Sequence, residues 1–354
     1  MSLVLLALAC TPTGGLDSAS PELGPQAVLA TVSMDFATGA LASVSLEDGS
    51  IQDLLAPVSG DAVVRTVGEE VLVLNRFGYD NLRFYAPGQW SAPRLEVGVG
   101  DGEGPTNPVD TAICGEDLLV LLYERDHALF LSPTTGAVTG TLDLSPWVDG
   151  DGQSPEAGSI AAWEGRLYLG LERLDRSAGW IDAGGFVLEV DCEARAITRE
   201  WEGPANTNVE GWPEGDGLLV RGRAWGERAG GVYRFDPEQG LSPLVEVVEG
   251  EVAGIAAVGS DLIYTTLAED NSSYGIHCAD LSTGQSREVD RRTEYLADIA
   301  ASPTGEAWIA AHWGWNDPEG SSPGVFRWDI ASCEPIEPDQ PLQFSLAPSS
   351  IAFP

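Results

Sequence analysis

The sequence predicts an all-β protein built from a four-stranded unit that repeats every 44 to 51 residues. Three observations support this fold class. The 354 residues include 42 Gly and 23 Pro, a density of turn formers that is typical of many short strands. Short apolar runs recur along the chain, and so does a five-residue turn that opens with Asp or Ser and ends with Gly. With 43% hydrophobic residues, the chain has enough apolar side chains to form a core.

The apolar runs define the repeat. Each follows a tight polar turn, and each turn follows another short apolar strand. The runs occupy residues 71–74, 118–121, 167–170, 218–221, 262–265 and 307–310. Counting back eight residues from each run gives Val63, Asp110, Ser159, Glu210, Gly254 and Ile299, at intervals of 47, 49, 51, 44 and 45 residues. A period of this length with four strands per repeat indicates the blades of a β-propeller.

The five-residue turns and the chain ends complete the pattern. The turns lie at residues 45–49, 132–136, 236–240 and 280–284, where Asp or Ser can accept backbone N–H groups and Gly tolerates positive φ. The segment 27–55 supplies three strands with no inner strand before them, and the strand at 349–353 has no partner after it. Joined, they make one blade and leave no open edge, which predicts seven blades.

These motifs resemble the bacterial YVTN-type seven-bladed β-propeller family. The apolar runs stand where the family has its Tyr-Val-Thr-Asn strand, and the turn at 280–284 fits as well. The stretch 142–176 is similar to a recurrent block in exported members. The resemblance covers residues 27–354 and implies a fold more than a function, because propellers host binding, scaffolding and several enzyme chemistries.

The N-terminus resembles a bacterial lipoprotein signal. Residues 1–9 are mostly apolar, and Leu6-Ala7-Leu8-Ala9-Cys10 is similar to a lipobox, so cleavage would leave a lipidated Cys10. Residues 10–26 would form a flexible tether. The expected location is the bacterial envelope, anchored to the outer membrane through the lipid alone. Because the run is short and no basic residue precedes it, a frayed first strand or an upstream start is the alternative.

Charge excludes several function classes. The net charge is −37, and all 18 basic residues are Arg. Without Lys, neither a Walker phosphate loop nor a Schiff-base enzyme is possible. The negative field disfavours nucleic acid as a partner. No cofactor is expected, apart from a candidate Ca²⁺ site at Asp149, Asp151 and Glu156; its spacing does not match an EF-hand, and an acidic Gly-rich turn is the alternative.

Four cysteines follow Cys10, at positions 114, 192, 278 and 333. An exported protein can join them in two disulfides, but the sequence does not fix the pairing. No Cys or His spacing suggests zinc. We expect at least two of these cysteines to be unpaired thiols.

One candidate site lies at the mouth of the central channel. Asp110, Glu210 and Asp298 are expected there, on the inner strands. Like charges at a narrow mouth raise each other's pKa unless a cation binds, so a cation or amine site is one interpretation. Three solvated acids are the alternative.

A second candidate site is formed by the loops between the second and third strands of the repeats. These loops concentrate Arg and Trp, which contribute strongly to binding at interfaces. The candidate ligand-binding residues are Arg125, Arg173, Arg176, Arg221, Arg223, Trp313 and Trp315. An unknown envelope protein, a glycan or an anionic small molecule would fit such a face. Local Arg–Asp pairs and Trp lids are the alternative.

These observations favour a monomeric, envelope-anchored binding or scaffold propeller without catalytic residues. A lactonase-like hydrolase, by analogy with seven-bladed lactonases, and a structural surface-coat component are the alternatives. Only His127, His277 and His312 are bases that titrate near neutral pH without a pKa shift. No Ser-His-Asp arrangement or Gly-x-Ser-x-Gly motif is visible.

Overall fold

The computed structural model describes residues 24–148, 154–177, 181–213, 215–224, 227–247, 250–314, 320–337 and 340–354. Their regular secondary structure consists of β-strands, apart from a 3₁₀ turn at Ser145–Trp147. The strands up to that turn are β1 Gln26–Val32, β2 Gly39–Ser45, β3 Ile51–Gln52, β4 Pro57–Val58, β5 Ala62–Val67, β6 Glu70–Asn75, β7 Asn81–Tyr85, β8 Leu95–Gly98, β9 Pro108–Cys114, β10 Asp117–Leu122, β11 His127–Leu131 and β12 Val138–Asp143.

The remaining strands are β13 Ala157–Trp163, β14 Arg166–Leu171, β15 Leu174–Asp175, β16 Ile181–Asp182, β17 Phe186–Asp191, β18 Ala196–Glu202, β19 Ala205–Gly211, β20 Leu218–Arg223, β21 Gly230–Asp236, β22 Gly240–Val247, β23 Glu251–Val258, β24 Asp261–Leu267, β25 Tyr274–Asp280, β26 Gln285–Arg292, β27 Tyr295–Ala301, β28 Glu306–His312, β29 Gly324–Asp329, β30 Glu334–Ile336 and β31 Ala347–Ala352.

Antiparallel sheets of four strands follow one another along the chain. Their orders are β5-β6-β7-β8, β9-β10-β11-β12, β13-β14-β17-β18 and β27-β28-β29-β30. The runs β19-β20-β21-β22 and β23-β24-β25-β26 are joined into one sheet by a single pair, Arg223 with Glu251. Strands β15 and β16 form a separate two-stranded ribbon.

The two chain ends share a sheet, as the sequence predicts. Strand β31 pairs with β1, with Leu29 opposite Ile351, in a sheet ordered β31-β1-β2-β3. Strand β4 also pairs with β2. The edge that β1 would otherwise expose is therefore covered by the last strand of the same chain.

The apolar runs occupy the second strands, and they are buried because each sheet packs against its neighbours. In β10, for example, every residue after Asp117 is buried. Leu119 and Phe130 of one sheet pack in the same cluster as Leu169 and Leu188 of the next. The core therefore lies between sheets, and burial of these side chains contributes about 1.5–3 kcal/mol each.

The predicted turns form as their residue types require. The Asp280 side chain accepts the backbone N–H of Ser282 at 2.8 Å, and Gly284 closes the turn at φ +69°. Asp236 accepts the N–H of Glu238 in the same way at 2.7 Å. These turns set the register between the third and fourth strands of their sheets.

Both pairs of cysteines are joined, so the expectation of unpaired thiols was wrong. Cys114 bonds to Cys192, and Cys278 bonds to Cys333. Each bond links two sheets that are neighbours in the chain, from β9 to the turn after β17 and from β25 to the turn before β30. The sequence could not indicate this pairing, because the partners lie 78 and 55 residues apart.

Candidate functional site

A central cavity of about 950 Å³ is the candidate site. One strand from each group of four lines it, namely β5, β9, β13, β19, β23, β27 and β31. Neighbouring members of this set contact one another, including β31 with both β5 and β27. Strands β19 and β23 meet through the hydrogen bond from Asn206 to Glu251. The cavity is thus a channel whose wall is built from the first strand of each sheet.

Two of the three predicted mouth acids fasten one channel strand to the next. Asp110 accepts the backbone N–H of Ile160 at 2.9 Å, and Asp298 accepts that of Ile351 at 2.9 Å. Each carboxylate also accepts the N–H of the residue that follows it in its own strand. Both acids line the cavity, but their oxygens are engaged with backbone groups of the wall.

Two serines make the equivalent hydrogen bonds between other channel strands. Ser159 accepts the N–H of Val209 at 2.8 Å, and Ser350 accepts that of Val64 at 3.2 Å. A polar side chain at one fixed position therefore bonds to the backbone of the next strand around the channel. Such bonds lock the relative height of neighbouring sheets, because a donor left without a partner would be costly.

The third acid, Glu210, does not occupy this position. Asp110 stands opposite Leu121, the fourth residue of its apolar run, whereas the residue opposite the equivalent Arg221 is Asn208. Glu210 lies two residues further along β19, opposite Leu219. It lines the same cavity and is bonded to a side chain instead of to the next strand.

Glu210 pairs with Arg221 across the channel wall. The Nε of Arg221 donates to Oε1 of Glu210 at 3.2 Å, and its Nη1 donates to the carbonyl of Val252 at 3.3 Å. Burial raises the pKa of Glu210, and the nearby Asp110 adds to this shift while Arg221 and Arg65 oppose it. Both guanidinium groups therefore lie within Coulombic range of this carboxyl group.

Arg65 is the main channel residue that the sequence did not reveal. Its Nε donates to Asp110 at 2.6 Å, and its Nη1 donates to the carbonyl of Val64 at 2.9 Å. Burial works against its charge, but Asp110, Asp298 and Glu210 outweigh burial and raise its pKa. An Arg within an otherwise apolar first strand was the available signal, because such a residue needs acidic partners when buried.

A buried hydrogen-bonded group adjoins the channel on the side of β14. The hydroxyl of Tyr123 donates to Glu172 at 2.5 Å, and the amide of Asn208 donates to its other oxygen at 3.2 Å. Burial raises the pKa of Glu172 despite these bonds. All three residues line the cavity.

The predicted Arg residues of the loops are bonded within the chain. Arg125 holds Asp101 through two bonds of 2.7 Å, which keep the pKa of Asp101 well below its usual range. Arg173 donates to the carbonyls of Trp147 and Gly184.

Arg176 bonds to Glu124 and to Glu156, and Arg223 bonds to Glu251 at 2.9 Å. These contacts brace the loops around the channel. Of the predicted loop residues that the structure describes, only Arg221 lines the cavity.

The remaining predicted residues are the Ca²⁺ ligands, the two Trp residues and the lipidation site, and only some of them lie in the described part of the chain. Glu156, a candidate Ca²⁺ ligand, is fully buried and bonds to Arg176 and to the N–H of Leu174. Trp313 follows the channel-lining His312 and does not itself line the cavity; its carbonyl contacts Nδ1 of His312 at 3.2 Å. Asp149, Asp151, Trp315 and Cys10 lie outside the described residues.

Four aromatic rings line one end of the channel and are called the aromatic rim here: Phe36, Phe77, Tyr295 and His312. Tyr295 stacks on His312 with ring centroids 4.4 Å apart, and Phe36 meets His312 edge to face at 5.4 Å. Phe36 and Phe77 are 39% and 63% exposed. Burial lowers the pKa of His312 to about 4, so its ring is neutral at pH 7.

The loops that carry the rim are fixed against each other. Arg76 bonds to the side chain and the carbonyl of Asp61, and Gly60 lies against the carbonyl of Phe36, where a Cβ would collide. Phe36 and Phe77 both have positive φ, at +55° and +47°. This conformation is unfavourable for an aromatic residue, so the packing of the loops must impose it.

No cluster of three or more His, Cys, Asp or Glu among the described residues has an arrangement that could hold a metal ion. Within the same part of the chain, no helix is long and apolar enough to cross a membrane.

Comparison with known proteins shows the fold. No protein-family model matches the chain, and no curated protein matches its sequence. The structure is similar to that of a "putative 6-phosphogluconolactonase" from Bacteroides uniformis, with a TM-score of 0.63 and 12% identity over 94% of this chain and all of the other. A protein of the same description from Bacteroides fragilis has a TM-score of 0.61 and 13% identity, over 96% of this chain and 100% of the other. Apo AztD from Citrobacter koseri has a TM-score of 0.58 and 12% identity, over 94% of this chain and 98% of the other.

These structures are β-propellers, so the class of this protein is that of the all-β propellers. At such low identity the likeness extends to the fold alone. The cavity identified above lies where the strands of a propeller converge, and its side chains are particular to this chain.

Proposed function

We propose that this protein is a non-enzymatic binding propeller that receives a ligand in its central channel. The observation that carries the proposal is the convergence of Glu210, Arg221 and Arg65 with the aromatic rim on one cavity of about 950 Å³. That volume lies within the range of small-molecule sites, and charged groups with apolar rings on one wall are typical of such sites. The braced Arg and Trp loops would frame the mouth.

The proposal includes seven blades of the YVTN type. It is supported by the recurrence of the four-stranded sheets and by the pairing of β31 with β1.

It also includes an envelope location with a lipid anchor at Cys10. The two disulfide bonds support an oxidising compartment, because such bonds are rare in the reducing cytosol. The ligand would then come from the envelope, as an exposed segment of a protein, a glycan or a small molecule.

The binding proposal is tested by blocking the channel. Val63 lines the cavity, so Val63→Trp should fill part of it, whereas Val138→Trp adds the same ring at a position that is already 58% exposed. Each protein is dialysed against an extract of bacterial small molecules and analysed by native mass spectrometry. A bound species should appear with the wild type and with Val138→Trp and disappear with Val63→Trp. If the same species bind to the wild type and to both variants, the channel is excluded as the binding site.

The anchor is tested separately. Cys10→Ala should abolish labelling by a fatty-acid probe and release the protein from membranes. Unchanged labelling would remove the lipoprotein hypothesis and leave the channel proposal intact.

A lactonase-like hydrolase is the second candidate. It is supported by the likeness to the two Bacteroides proteins and by the raised pKa of Glu172, a carboxyl group on the channel wall. A carboxyl group whose pKa is raised by burial is better suited to act as a general acid than an ordinary one. Hydrolysis of a phosphorylated sugar lactone that is lost in Glu172→Gln would favour this function over simple binding.

A further inference from the structure

We propose that the channel takes an organic cation with a flat apolar face, its charged group among the channel carboxyls and its ring against the aromatic rim. This inference rests on the proposed binding function, because it names the ligand class of the same cavity.

The charge of the wall favours a cation. Of the described residues, those that line the cavity carry six carboxyl groups and three guanidinium groups. Arg76, Arg65 and Arg221 each already bond to one of the carboxyls, those of Asp61, Asp110 and Glu210. An anion would have to displace these paired carboxyls from the guanidinium groups. Of the other three carboxyls, Glu124 already bonds to Arg176, which does not line the cavity. The overall charge of −37 adds a field that draws cations toward a narrow channel.

Two acceptor groups on the wall have capacity for a donor from the ligand. Glu210 accepts from Arg221 through Oε1, and its side chain is 37% exposed to the channel. The Oδ1 of Asn107 has no hydrogen-bond donor in the described part of the chain, although Asn107 lines the cavity and is only 4% exposed. A buried acceptor without a donor is costly, and rotation of the Asn107 side chain toward the cavity would let an N–H group of a ligand satisfy it. The Asn107 oxygen is independent of the acidic residues and also favours a ligand that donates hydrogen bonds.

The aromatic rim supplies the apolar part of the site. Phe77 is 63% exposed beside the opening, and the Phe36 ring stands against His312. The faces of aromatic rings attract cations and also stack on flat apolar groups. Protonated His312 would repel a cation, but its pKa of about 4 keeps it neutral at physiological pH. A ligand with a ring and a charged arm would place its ring against the rim and direct its charge toward the carboxyl groups of the same cavity.

Three probes with the same ring and different charge test this assignment. They are 3-phenylpropylammonium, neutral 3-phenylpropanamide and anionic 3-phenylpropionate, each titrated calorimetrically into the wild-type protein at pH 7. We expect the ammonium probe to bind at least tenfold more tightly than the other two. Glu210→Gln should reduce its affinity about tenfold and leave that of the amide unchanged. Phe77→Ala should weaken both, and Val138→Ala, which removes an exposed apolar side chain elsewhere, should weaken neither.

Other outcomes separate this inference from the proposed function. If the carboxylate binds most tightly and Arg221→Gln abolishes its binding, the channel is a binding site for anions, and the cation assignment is overturned. If no probe binds at millimolar concentration, the cation assignment also falls, and the extract experiment with Val63→Trp decides whether the channel binds anything. If the three probes bind with equal affinity and only Phe77→Ala weakens binding, the site is apolar and does not select charge, and the cation assignment is overturned.

Discussion

Asp298 in β27 and Ile351 in β31 are joined by a hydrogen bond of 2.9 Å from the backbone N–H to the carboxylate. This bond connects the last complete sheet to the sheet that both chain ends build. The Ser350 hydroxyl donates to the same oxygen at 3.1 Å and accepts the N–H of Val64 on the next strand. The three strands at the closure of the chain are thus linked through one carboxylate and one hydroxyl.

Removing this acceptor should destabilise the fold. Asp298→Ala leaves the Ile351 N–H without its partner, which should lower the free energy of unfolding by about 1–3 kcal/mol. Asp298→Asn keeps an acceptor oxygen and should retain more stability than Asp298→Ala. Urea denaturation at pH 7 measures both, with Asp35→Ala at an exposed turn as the control. Equal stability of Asp298→Ala and the wild type would show that the bond contributes nothing.

Stability should fall as the pH rises above the ordinary range of carboxyl groups. Burial raises the pKa of Glu172 above 4.5, so the folded protein keeps this proton where the unfolded chain has lost it. Folding stability must then decrease with rising pH from about 4.5 up to the folded pKa, because the buried group has to ionise there. Glu172→Gln should flatten this part of the profile. Urea midpoints between pH 4.5 and 8 measure the effect.

Exposed Glu116→Gln is the matched control for that profile. A decrease of stability with pH that is the same in Glu172→Gln and the wild type would show that other groups cause it. Burial also raises the pKa of Glu210 and Asp298, so the wild-type slope should exceed the contribution of Glu172 alone.

Arg176 should be needed for stability. It bonds to Glu156, whose side chain is fully buried, and to Glu124. Arg176→Ala leaves a buried carboxylate without its cation, which typically costs about 3–5 kcal/mol. Thermal melting should show a decrease of several degrees. The double variant Arg176→Ala with Glu156→Gln should recover part of the loss, and exposed Arg287→Ala should have little effect. A near-wild-type melting temperature for Arg176→Ala would instead favour a role in recognition.

Deletion of residues 346–354 should abolish cooperative folding. The deletion removes β31, exposes the edge of β1 and takes Ile351 out of the cluster that contains Leu29 and Trp308. Calorimetry should show no sharp unfolding transition, whereas removal of exposed Pro354 alone should leave the transition in place. A truncated protein that melts like the wild type would contradict closure through β31.

The sequence predicted the repeats well because turns and buried strands have local signatures. The turn at Asp280 and the apolar run in β10 follow from residue types a few positions apart. The site was harder to predict because the side that faces the channel depends on the register between strands. Two residues connect β9 to β10, but six connect β19 to β20, so counting back a constant eight residues reached Glu210 instead of Asn208.

The sequence could not reveal which residues that are distant in the chain would form hydrogen bonds with each other. The acidic charge of Asp110 and Asp298 was visible, but not that backbone N–H groups of the neighbouring strands would engage their oxygens. Arg65 is marked in the sequence only as a charged residue within an apolar strand, and the aromatic rim carries no local motif. Phe36 and Phe77 resemble ordinary apolar residues of a turn until the loops bring them to one opening.

The direction of β1 separates the start of the described chain from the aromatic rim. The chain enters β1 at Gln26, runs seven residues to Val32, about 20 Å at the usual rise of a strand, and then forms the loop that carries Phe36. A segment that precedes Gln26 therefore joins the described structure at the end of β1 that lies farthest from the aromatic rim. The opening and the point where the chain enters the first sheet are thus about one strand length apart, so that segment does not attach beside the opening.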